Sequence, residues 1–237
     1  MNKWNKQGIK CVIICGGLGT RLFPFTVNKQ KTMIEIKQKP LLGAVIEFWQ
    51  PFCEEFIFVT GFKSQEVIDY IASIPIKKVI LEDNEMKGIA NALLQTEKWI
   101  TDKCIVILGD CLISGQIDIP PDMDKGIGIY ETTNEQDIKR AYSVKLNENN
   151  LVGFVEEKPQ KIINSYCGTG FYFLDKSLFD YIRNTSISAR TGKIEITDVI
   201  QTMINAGEKI SPVMIKGNYL NVTFPEDLQR AESYFFN

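Results

Sequence analysis

Apolar segments of strand length alternate with segments of helical periodicity over the first half of the chain. The alternation predicts strands at 9–15, 55–61, 77–82 and 103–110, and helices at 40–52, 64–74 and 88–100. Ser64 stands where the second helix begins and is expected to be its N-cap. Because strands and helices in this order form right-handed crossovers, the strands are expected to lie parallel, with helices on both faces of the sheet.

The pattern changes after residue 110. Residues 114–124, SGQIDIPPDMD, are predicted as an irregular loop, and the segment KGIGIYET after them as a strand. A hairpin at 141–158 with its turn at NENN, two further strands, two helices and a terminal helix beginning at Pro225 complete the expectation. Since no linker or repeat divides the chain, residues 1–237 are predicted to form one α/β domain with a mixed second half.

Composition narrows the possible functions. The chain has 237 residues, 44% of them hydrophobic and 24% charged, which is ordinary for a globular protein with a sizeable core. A formal net charge of -2, with Lys and Arg spread along the chain, argues against a nucleic-acid-binding face. No apolar stretch reaches the length of a membrane span, so no membrane partner is expected and a cytoplasmic location is the expectation.

Two residue types constrain the chemistry. Histidine is absent, which excludes a Ser-His-Asp triad and His-ligated zinc. The six cysteines form no C-x-x-C pair and are predicted to be buried, reduced thiols.

A glycine-rich segment, CGGLGTRL, directly follows the first predicted strand. Gly16, Gly17 and Gly19 let the backbone approach a ligand closely, as at phosphate-binding turns. The spacing fits neither a dinucleotide fingerprint, which needs a third glycine, nor a P-loop, which needs Lys followed by Ser or Thr. From these residues alone the segment is either another kind of phosphate-binding loop or a tight turn. Because ligands of such sheets bind beyond the carboxyl ends of strands, this loop and Asp110 are expected to share one crevice.

The segment GGLGTRLFPFTVNKQKTMIEI resembles the signature of the sugar-phosphate nucleotidyltransferases. The segments GIANAL, LGD, FVEEKP, GTGFYF, GKIEITD and NVTFPEDL follow in the order of that family's motifs. The matching segments extend over nearly the whole chain. The chain resembles the catalytic domain of glucose-1-phosphate thymidylyl- and cytidylyltransferases. No hexapeptide repeats like those of a fused acyltransferase are expected. The resemblance implies a Rossmann-like, mostly parallel mixed sheet with a smaller sugar-side β region. It also implies a nucleotide-binding half at about 9–110 and an acceptor-binding half at about 111–237.

The implied reaction is Mg2+-dependent. A phosphate oxygen of a sugar 1-phosphate would attack the α-phosphorus of a nucleoside triphosphate, releasing pyrophosphate and forming a nucleotide-sugar, as used in polysaccharide synthesis. No protein nucleophile is needed, so the absence of histidine is compatible with this chemistry. The reaction requires neutralisation of crowded phosphates and in-line positioning.

The resemblance assigns roles residue by residue. Arg21 would hold the β- and γ-phosphates, Lys31 the α-phosphate and the incoming phosphate, and Asp110 the metal. Lys158 would bind the acceptor phosphate and Glu157 its hydroxyl groups. The remaining assignments are the nucleotide-binding residues Gly16, Gly17, Gly19, Thr20, Asp83 and Gly88, the substrate-binding residues Ser143 and Gly170, and Asn221 as a second metal ligand.

Several positions depart from the family's pattern. Gln30 and Thr32 flank Lys31 where the family has proline, so Lys31 is expected to be held less rigidly. Ser143 replaces the usual glycine at the sugar pocket. Asn221 replaces an aspartate at the metal, which removes one negative charge and is expected to weaken metal binding.

The choice of substrates stays open at the level of sequence. Glu82, Asp83 and Glu85 could accept hydrogen bonds from cytosine or guanine, which favours CTP or GTP; the alternative is an acid-rich turn before a helix. The acceptor would be a hexose or heptose 1-phosphate, or a smaller phosphate such as phosphocholine. A non-catalytic protein that binds a nucleotide or sugar phosphate is the second hypothesis, and a homo-oligomer is compatible with either.

Overall fold

The computed structural model describes residue 4 and residues 6–235. Within them, the strands are β1 (Lys10–Ile14), β2 (Glu35–Ile36), β3 (Lys39–Pro40), β4 (Glu55–Thr60), β5 (Lys78–Glu82), β6 (Lys103–Leu108), β7 (Cys111–Asp118), β8 (Lys125–Glu131), β9 (Tyr142–Leu146), β10 (Val152–Glu157), β11 (Tyr166–Asp175) and β12 (Ile210–Asn221). The α-helices are α1 (Leu41–Trp49), α2 (Ser64–Ser73), α3 (Ile89–Leu94), α4 (Glu135–Arg140), α5 (Leu178–Asn184), α6 (Ile196–Asn205) and α7 (Pro225–Phe235). Short 3-10 helices lie at Thr20–Leu22, Lys31–Met33, Gln50–Phe52 and Glu97–Trp99.

A ten-stranded mixed sheet forms the centre of the molecule, in the order β5-β4-β1-β6-β11-β8-β12-β7, with the β9–β10 hairpin attached through β9 to β11. The strands β5, β4, β1 and β6 are parallel, as their crossover helices require. Beyond them β11 pairs antiparallel with both β6 and β8, while β12 pairs parallel with β8 and antiparallel with β7. The sheet is therefore continuous across both halves of the sequence.

Helices cover both faces of this sheet. Along β1, Cys11 and Ile13 point into one apolar cluster, which also holds buried side chains of α1, α2 and α7. Val12, between them, points into a second cluster with buried side chains of α3, α5 and α6. This alternation is what a strand buried on both faces requires, and it explains why β1 is a continuous apolar run in the sequence. No helix among the described residues combines the length and apolar character needed to cross a membrane.

The carboxyl ends of β1 and β6 lie side by side. Ile14 and Leu108 are partners in the parallel register, and Gly109 donates its backbone N–H to the carbonyl of Ile14 at 2.9 Å. The glycine loop that follows β1 and Asp110, which follows β6, therefore start from adjacent points of the sheet. The predicted shared crevice is confirmed.

The structure corrects the prediction of an irregular loop at 114–124. Residues 114–118 of that segment belong to β7, which pairs antiparallel with β12 over its whole length, from Cys111 with Asn221 to Asp118 with Met214. The segment contains Ser, Gly and Gln, which have low strand preference. Backbone pairing with a strand a hundred residues later in the chain overrides that preference.

Two helix starts also differ from expectation. Lys63, not Ser64, is the N-cap of α2, in a left-handed conformation, and the Ser64 hydroxyl donates instead to Glu82 Oε2 at 3.0 Å. The helix α4 was not predicted, although Asn134 precedes it and caps it by accepting from the N–H of Gln136 at 3.1 Å. The hairpin of β9 and β10 and the terminal helix α7 with Pro225 in its first turn are confirmed.

Candidate functional site

A cleft of about 370 Å³ opens beyond the carboxyl ends of the parallel strands. Its wall includes apolar side chains of Ile14, Val59, Ile89, Ala92 and Leu108. Of the residues assigned from sequence, the cleft brings together Gly16, Gly17, Gly19, Thr20, Arg21, Lys31, Asp83, Gly88 and Asp110.

The glycine loop is shaped by close backbone approach. A Cβ at Gly16 would lie 3.0 Å from the backbone nitrogen of Gly61, and one at Gly19 would lie 2.9 Å from the Thr26 side chain. Gly19 also has a φ of 64°, which disfavours residues with a Cβ, and its carbonyl accepts from Thr26 Oγ1 at 2.8 Å. The loop is thus a fixed surface that places the Thr20–Leu22 turn, and with it Arg21, at the edge of the cleft.

The segment around Lys31 is held more tightly than its missing prolines suggest. The buried Gln30 donates its Nε2 to the carbonyl of Cys15 at 2.6 Å, and its Oε1 accepts from both the N–H and the hydroxyl of Thr32. Its backbone N–H donates to Glu66 Oε2 at 2.9 Å. These bonds tie the segment to the end of β1 and restrain it by hydrogen bonds where the family has proline.

Lys31 and Asp110 both line the cleft and are in direct contact. The Lys31 ammonium forms an ion pair with Asp110 Oδ2, and both side chains are largely shielded from solvent, with exposed fractions of 11% and 20%. The pair joins the segment after the glycine loop to the end of β6, so one cation and one anion stand together at the cleft.

Asn221, the last residue of β12, lies close to Asp110 in the fold. It is the register partner of Cys111 in the β7–β12 pairing, and the next residue, Val222, donates its N–H to the Asp110 carbonyl at 3.0 Å. The Asn221 side-chain oxygen accepts from Thr223 Oγ1 at 3.1 Å. The sequence-predicted metal residues are therefore neighbours in the fold.

These residues fit Mg2+ rather than a metal with a full protein cage. Asp110 and Asn221 offer a carboxylate and an amide oxygen, which are hard ligands. Among the described residues no cluster of three or more His, Cys, Asp or Glu side chains could hold a metal. Mg2+ commonly uses one or two protein oxygens and takes its other ligands from water and phosphates.

Glu82, Asp83 and Glu85, the three acids that the sequence suggested for base recognition, have different surroundings in the structure. Asp83 is buried, and its Oδ1 accepts from the N–H groups of Glu85 and Met86 and from Gln95 Nε2 at 2.9 Å. Glu82 accepts from a serine hydroxyl, Glu85 pairs with a lysine, and neither lines the cleft. Of the three acids, Asp83 alone lines the cleft, and it organises the loop before Gly88.

Lys193 lines the cleft although sequence reasoning did not select it. Its stem packs on Gly88, where an added Cβ would lie 3.2 Å from Lys193 Cδ, and its ammonium donates to the Met86 carbonyl at 3.2 Å. It thus connects the base-side loop to the second half of the chain. The sequence feature that could have pointed to Lys193 is its position in the segment GKIEITD. In the sequence alone, however, a lysine in a polar loop cannot be distinguished from an ordinary surface charge.

The residues assigned to the acceptor lie outside the lining of this cleft. Strand pairing places Ser143 opposite Glu156 on the β9–β10 hairpin, beside Glu157, and Lys158 follows with its backbone N–H bonded to the Ala141 carbonyl at 2.8 Å. Lys158 is exposed, whereas Ser143 is buried. The hairpin brings these three assigned residues to one region.

Gly170 is a packing position near the start of β7. Its N–H donates to the hydroxyl of Tyr219 at 2.9 Å, and a Cβ there would lie 2.3 Å from Cys111 Sγ. Any larger residue would displace the start of β7, next to Asp110. Cys111, like the other cysteines, is buried with a free thiol, and burial raises its pKa well above the usual value.

Glu157 is the acceptor-side residue with a shifted pKa. Burial raises the pKa of its carboxyl above the usual 4.5, the neighbouring Glu195 raises it further, and a hydrogen bond from Thr197 Oγ1 at 2.8 Å opposes the shift. Lys158 and Arg190, the latter 3.8 Å away, also oppose it.

Comparison with known proteins assigns the chain to a family. A sequence model described as nucleotidyl transferase matches residues 10–234. The chain belongs to the nucleotidyl transferase family. This confirms the family suggested by the GGLGTRL segment and the motifs that follow it.

Curated relatives agree with this family. The chain is 31% identical over 228 residues to a bifunctional protein GlmU of Methanococcus maripaludis, covering 95% of this chain and 54% of that protein. It is 28% identical over 234 residues to the UTP–glucose-1-phosphate uridylyltransferase AglF of Haloferax volcanii, covering 94% of this chain and 95% of the relative. The chain therefore spans about half the length of the GlmU relatives it matches.

A solved structure confirms the fold. A UDP-glucose pyrophosphorylase complexed with UDP-glucose superimposes with a TM-score of 0.82 at 23% identity, covering 97% of each chain. The Rossmann-like α/β class predicted from the sequence is confirmed by this likeness.

Proposed function

We propose that this chain transfers a nucleoside monophosphate from a nucleoside triphosphate to a sugar 1-phosphate and releases pyrophosphate. The observation that carries the proposal is the meeting of Arg21, Lys31 and Asp110 around a cleft whose floor is the glycine loop. The names of the matched relatives, which include a glucose-1-phosphate uridylyltransferase, support the same reaction. The product would be a nucleotide-sugar of the kind used in polysaccharide synthesis.

The proposal divides the site between the two halves of the chain. Residues of about 9–110 would bind the nucleotide, with its base against the apolar wall and Gly88, and its phosphates along the glycine loop. Residues of about 111–237 would bind the acceptor, with Lys158 on its phosphate and Glu157 on a hydroxyl. The Ser143 and Gly170 positions would shape that side.

The chain's own residues contribute charge and position. Arg21 would hold the β- and γ-phosphates through its planar guanidinium, and Lys31 would neutralise the α-phosphate as the acceptor oxygen approaches. For this, Lys31 would exchange its ion pair with Asp110 for the phosphate. Positioning of this kind supplies most of the barrier reduction in phosphoryl transfer, so no covalent enzyme intermediate is required.

Mg2+ is the proposed metal. Asp110 and Asn221 would hold it, and when bound it would neutralise phosphate charge during transfer. The release of Lys31 would leave the Asp110 carboxylate available to the metal. This exchange would link phosphate binding to metal binding.

Base preference is a finer part of the proposal. Asp83 alone carries the argument for CTP or GTP, because it lines the cleft and its second carboxylate oxygen, Oδ2, accepts no hydrogen bond from residue 4 or residues 6–235. The AglF relative is named for UTP, which makes base selection the most informative variable to test.

A matrix of substrates tests the proposal. Pyrophosphate release would be measured with Mg2+ for CTP, GTP, UTP and dTTP, each against hexose and heptose 1-phosphates and phosphocholine. The expected result is release with one base and one sugar 1-phosphate well above all others. Release with phosphocholine alone would contradict the sugar acceptor, and nucleotide binding without release in any combination would support a non-catalytic binding protein instead.

A further inference from the structure

Arg21 has an unusual set of contacts for a guanidinium in a cleft. Within residue 4 and residues 6–235 it forms no ion pair and no side-chain hydrogen bond, and its ring contact is Phe224, whose centroid lies 5.6 Å from the guanidinium carbon. An arginine held by an aromatic ring keeps all its N–H donors for a ligand, whereas one paired with a carboxylate does not.

The Phe224 backbone is fixed. The N–H groups of Thr223 and Phe224 both donate at 2.8 Å to Oδ2 of the buried Asp227, and Pro225 follows at the start of α7. Two residues before Thr223 stands Asn221, the candidate metal ligand. The ring that contacts Arg21 is therefore tied to the metal side of the site.

A second arginine shares this ring. Arg140, the last residue of α4, has its guanidinium carbon 4.4 Å from the Phe224 centroid. Its ion pair with Glu226, at 3.3 Å, is exposed on both sides and contributes little to holding it. Arg140 also lines a small pocket with Asn221 and Thr223, and Thr223 in turn lines the nucleotide cleft.

Two cations on one ring repel each other, and this repulsion is relieved when an anion of high charge binds between or beside them. We propose that Phe224 positions Arg21, and that Arg140 together with Arg21 binds the pyrophosphate group of the nucleotide. The proposal rests on the proposed function, since pyrophosphate is the leaving group of that reaction. It adds Phe224 as a positioning residue and Arg140 as a second contact for the leaving group.

The direct test is binding of inorganic pyrophosphate with Mg2+, measured by titration calorimetry without turnover. Arg140→Ala is expected to weaken binding about tenfold, because a charge-assisted hydrogen bond is lost. Phe224→Leu is expected to weaken it about two- to fivefold, and Phe224→Tyr, which keeps the ring, less than about twofold. Arg183→Ala is the matched control, since Arg183 is an exposed, ion-paired arginine that lines no described cleft.

Steady-state kinetics separate this role from a merely structural one. Arg140→Ala and Phe224→Leu should both raise the KM for the nucleotide and leave the KM for the acceptor unchanged. Unchanged pyrophosphate affinity in both variants, or a rise in the acceptor KM alone, would overturn the inference. If Phe224→Leu does not fold, Arg140→Ala decides the question, because Arg140 is exposed. Pyrophosphate binding by a wild-type protein that releases none would refute the proposed reaction without refuting this site.

Discussion

At the residue scale, the ion pair of Lys31 and Asp110 is the point where the proposed chemistry concentrates. Each side chain is placed by its own segment: Lys31 by the segment that Gln30 anchors to β1, and Asp110 by the end of β6. The pair can therefore separate without unfolding either element. This is the property expected of a pair whose members take up separate ligands during a reaction.

Asp110→Asn tests whether the Asp110 carboxylate takes part in the proposed reaction. The substitution keeps the shape of the side chain but removes its charge, so pyrophosphate release is expected to fall by at least about a hundredfold. Because the side chain lies at the cleft and outside the core, the circular dichroism spectrum should match that of the wild type. Turnover near the wild-type rate would remove Asp110 from the proposed mechanism.

Gln30→Ala tests how Lys31 is held. Loss of the buried amide leaves the Cys15 carbonyl and the Thr32 N–H without their partner, which should lower the free energy of unfolding by about 1–3 kcal/mol in urea denaturation. The KM for the nucleotide should rise as well. Gln136→Ala, at an exposed glutamine of α4, is the control and should change neither quantity. Equal stability of the two variants would show that the Gln30 hydrogen bonds contribute nothing to the loop.

Glu157 is expected to make acceptor binding depend on pH. The carboxylate must be ionised to accept a hydrogen bond from a hydroxyl, and its pKa is raised above 4.5 mainly by burial. As the pH falls through that raised pKa, the KM for the acceptor is expected to increase. Glu157→Gln should bind the acceptor more weakly at neutral pH and lose this dependence. A wild-type KM that stays constant from pH 7 down to the usual carboxyl range would contradict the role.

At the element scale, β7 shows how the site depends on long-range pairing. The β7–β12 ladder sets Asn221 beside Asp110, and Gly115 and Gly217 face each other within it. Gly115 has a φ of 103°, and an added Cβ would lie 2.3 Å from the Lys216 carbonyl oxygen. The ladder cannot accept a side chain there without moving one strand.

Gly115→Ala should lower the free energy of unfolding by about 1–3 kcal/mol, because it combines a strained conformation with a steric clash. Gly17→Ala is the matched control, since an added Cβ at Gly17 meets no atom within 4 Å and its φ is not in the positive region. Chemical denaturation of both proteins provides the comparison. A Gly115→Ala variant as stable as the Gly17→Ala variant would mean that β7 is free to rearrange.

The strands of the sheet show which parts of the fold can be predicted from the sequence and which cannot. The parallel strands β1, β4 and β6 were predicted because strands buried on both faces are continuous apolar runs in the sequence. The edge strand β5 is only partly buried, but it is also a short apolar run. The position of Asp110 followed, since the ends of parallel strands meet at one edge. The strand β7 was missed because its pairing partner lies far along the chain. Phe224 and Lys193 were missed because their contacts depend on how distant segments pack together.

At the scale of the whole molecule, one continuous sheet supports residues from both halves of the chain around the proposed reaction. Arg21 and Lys31 come from segments that follow β1, while Asn221 and Glu157 come from the second half. Strand β11, antiparallel to both β6 and β8, joins the two halves. The site is therefore a property of the assembled domain, and no single segment contains it.

The most direct measurement of the central claim follows the oxygen atoms of the acceptor. A sugar 1-phosphate labelled with heavy oxygen on its phosphate would be incubated with the preferred nucleoside triphosphate and Mg2+, and the products analysed by mass spectrometry. The account predicts that all of the label stays in the nucleotide-sugar, that none enters pyrophosphate, and that Asp110→Asn forms both products at least about a hundredfold more slowly. Label in pyrophosphate, or a nucleoside monophosphate bound covalently to the protein before the acceptor is added, would contradict it.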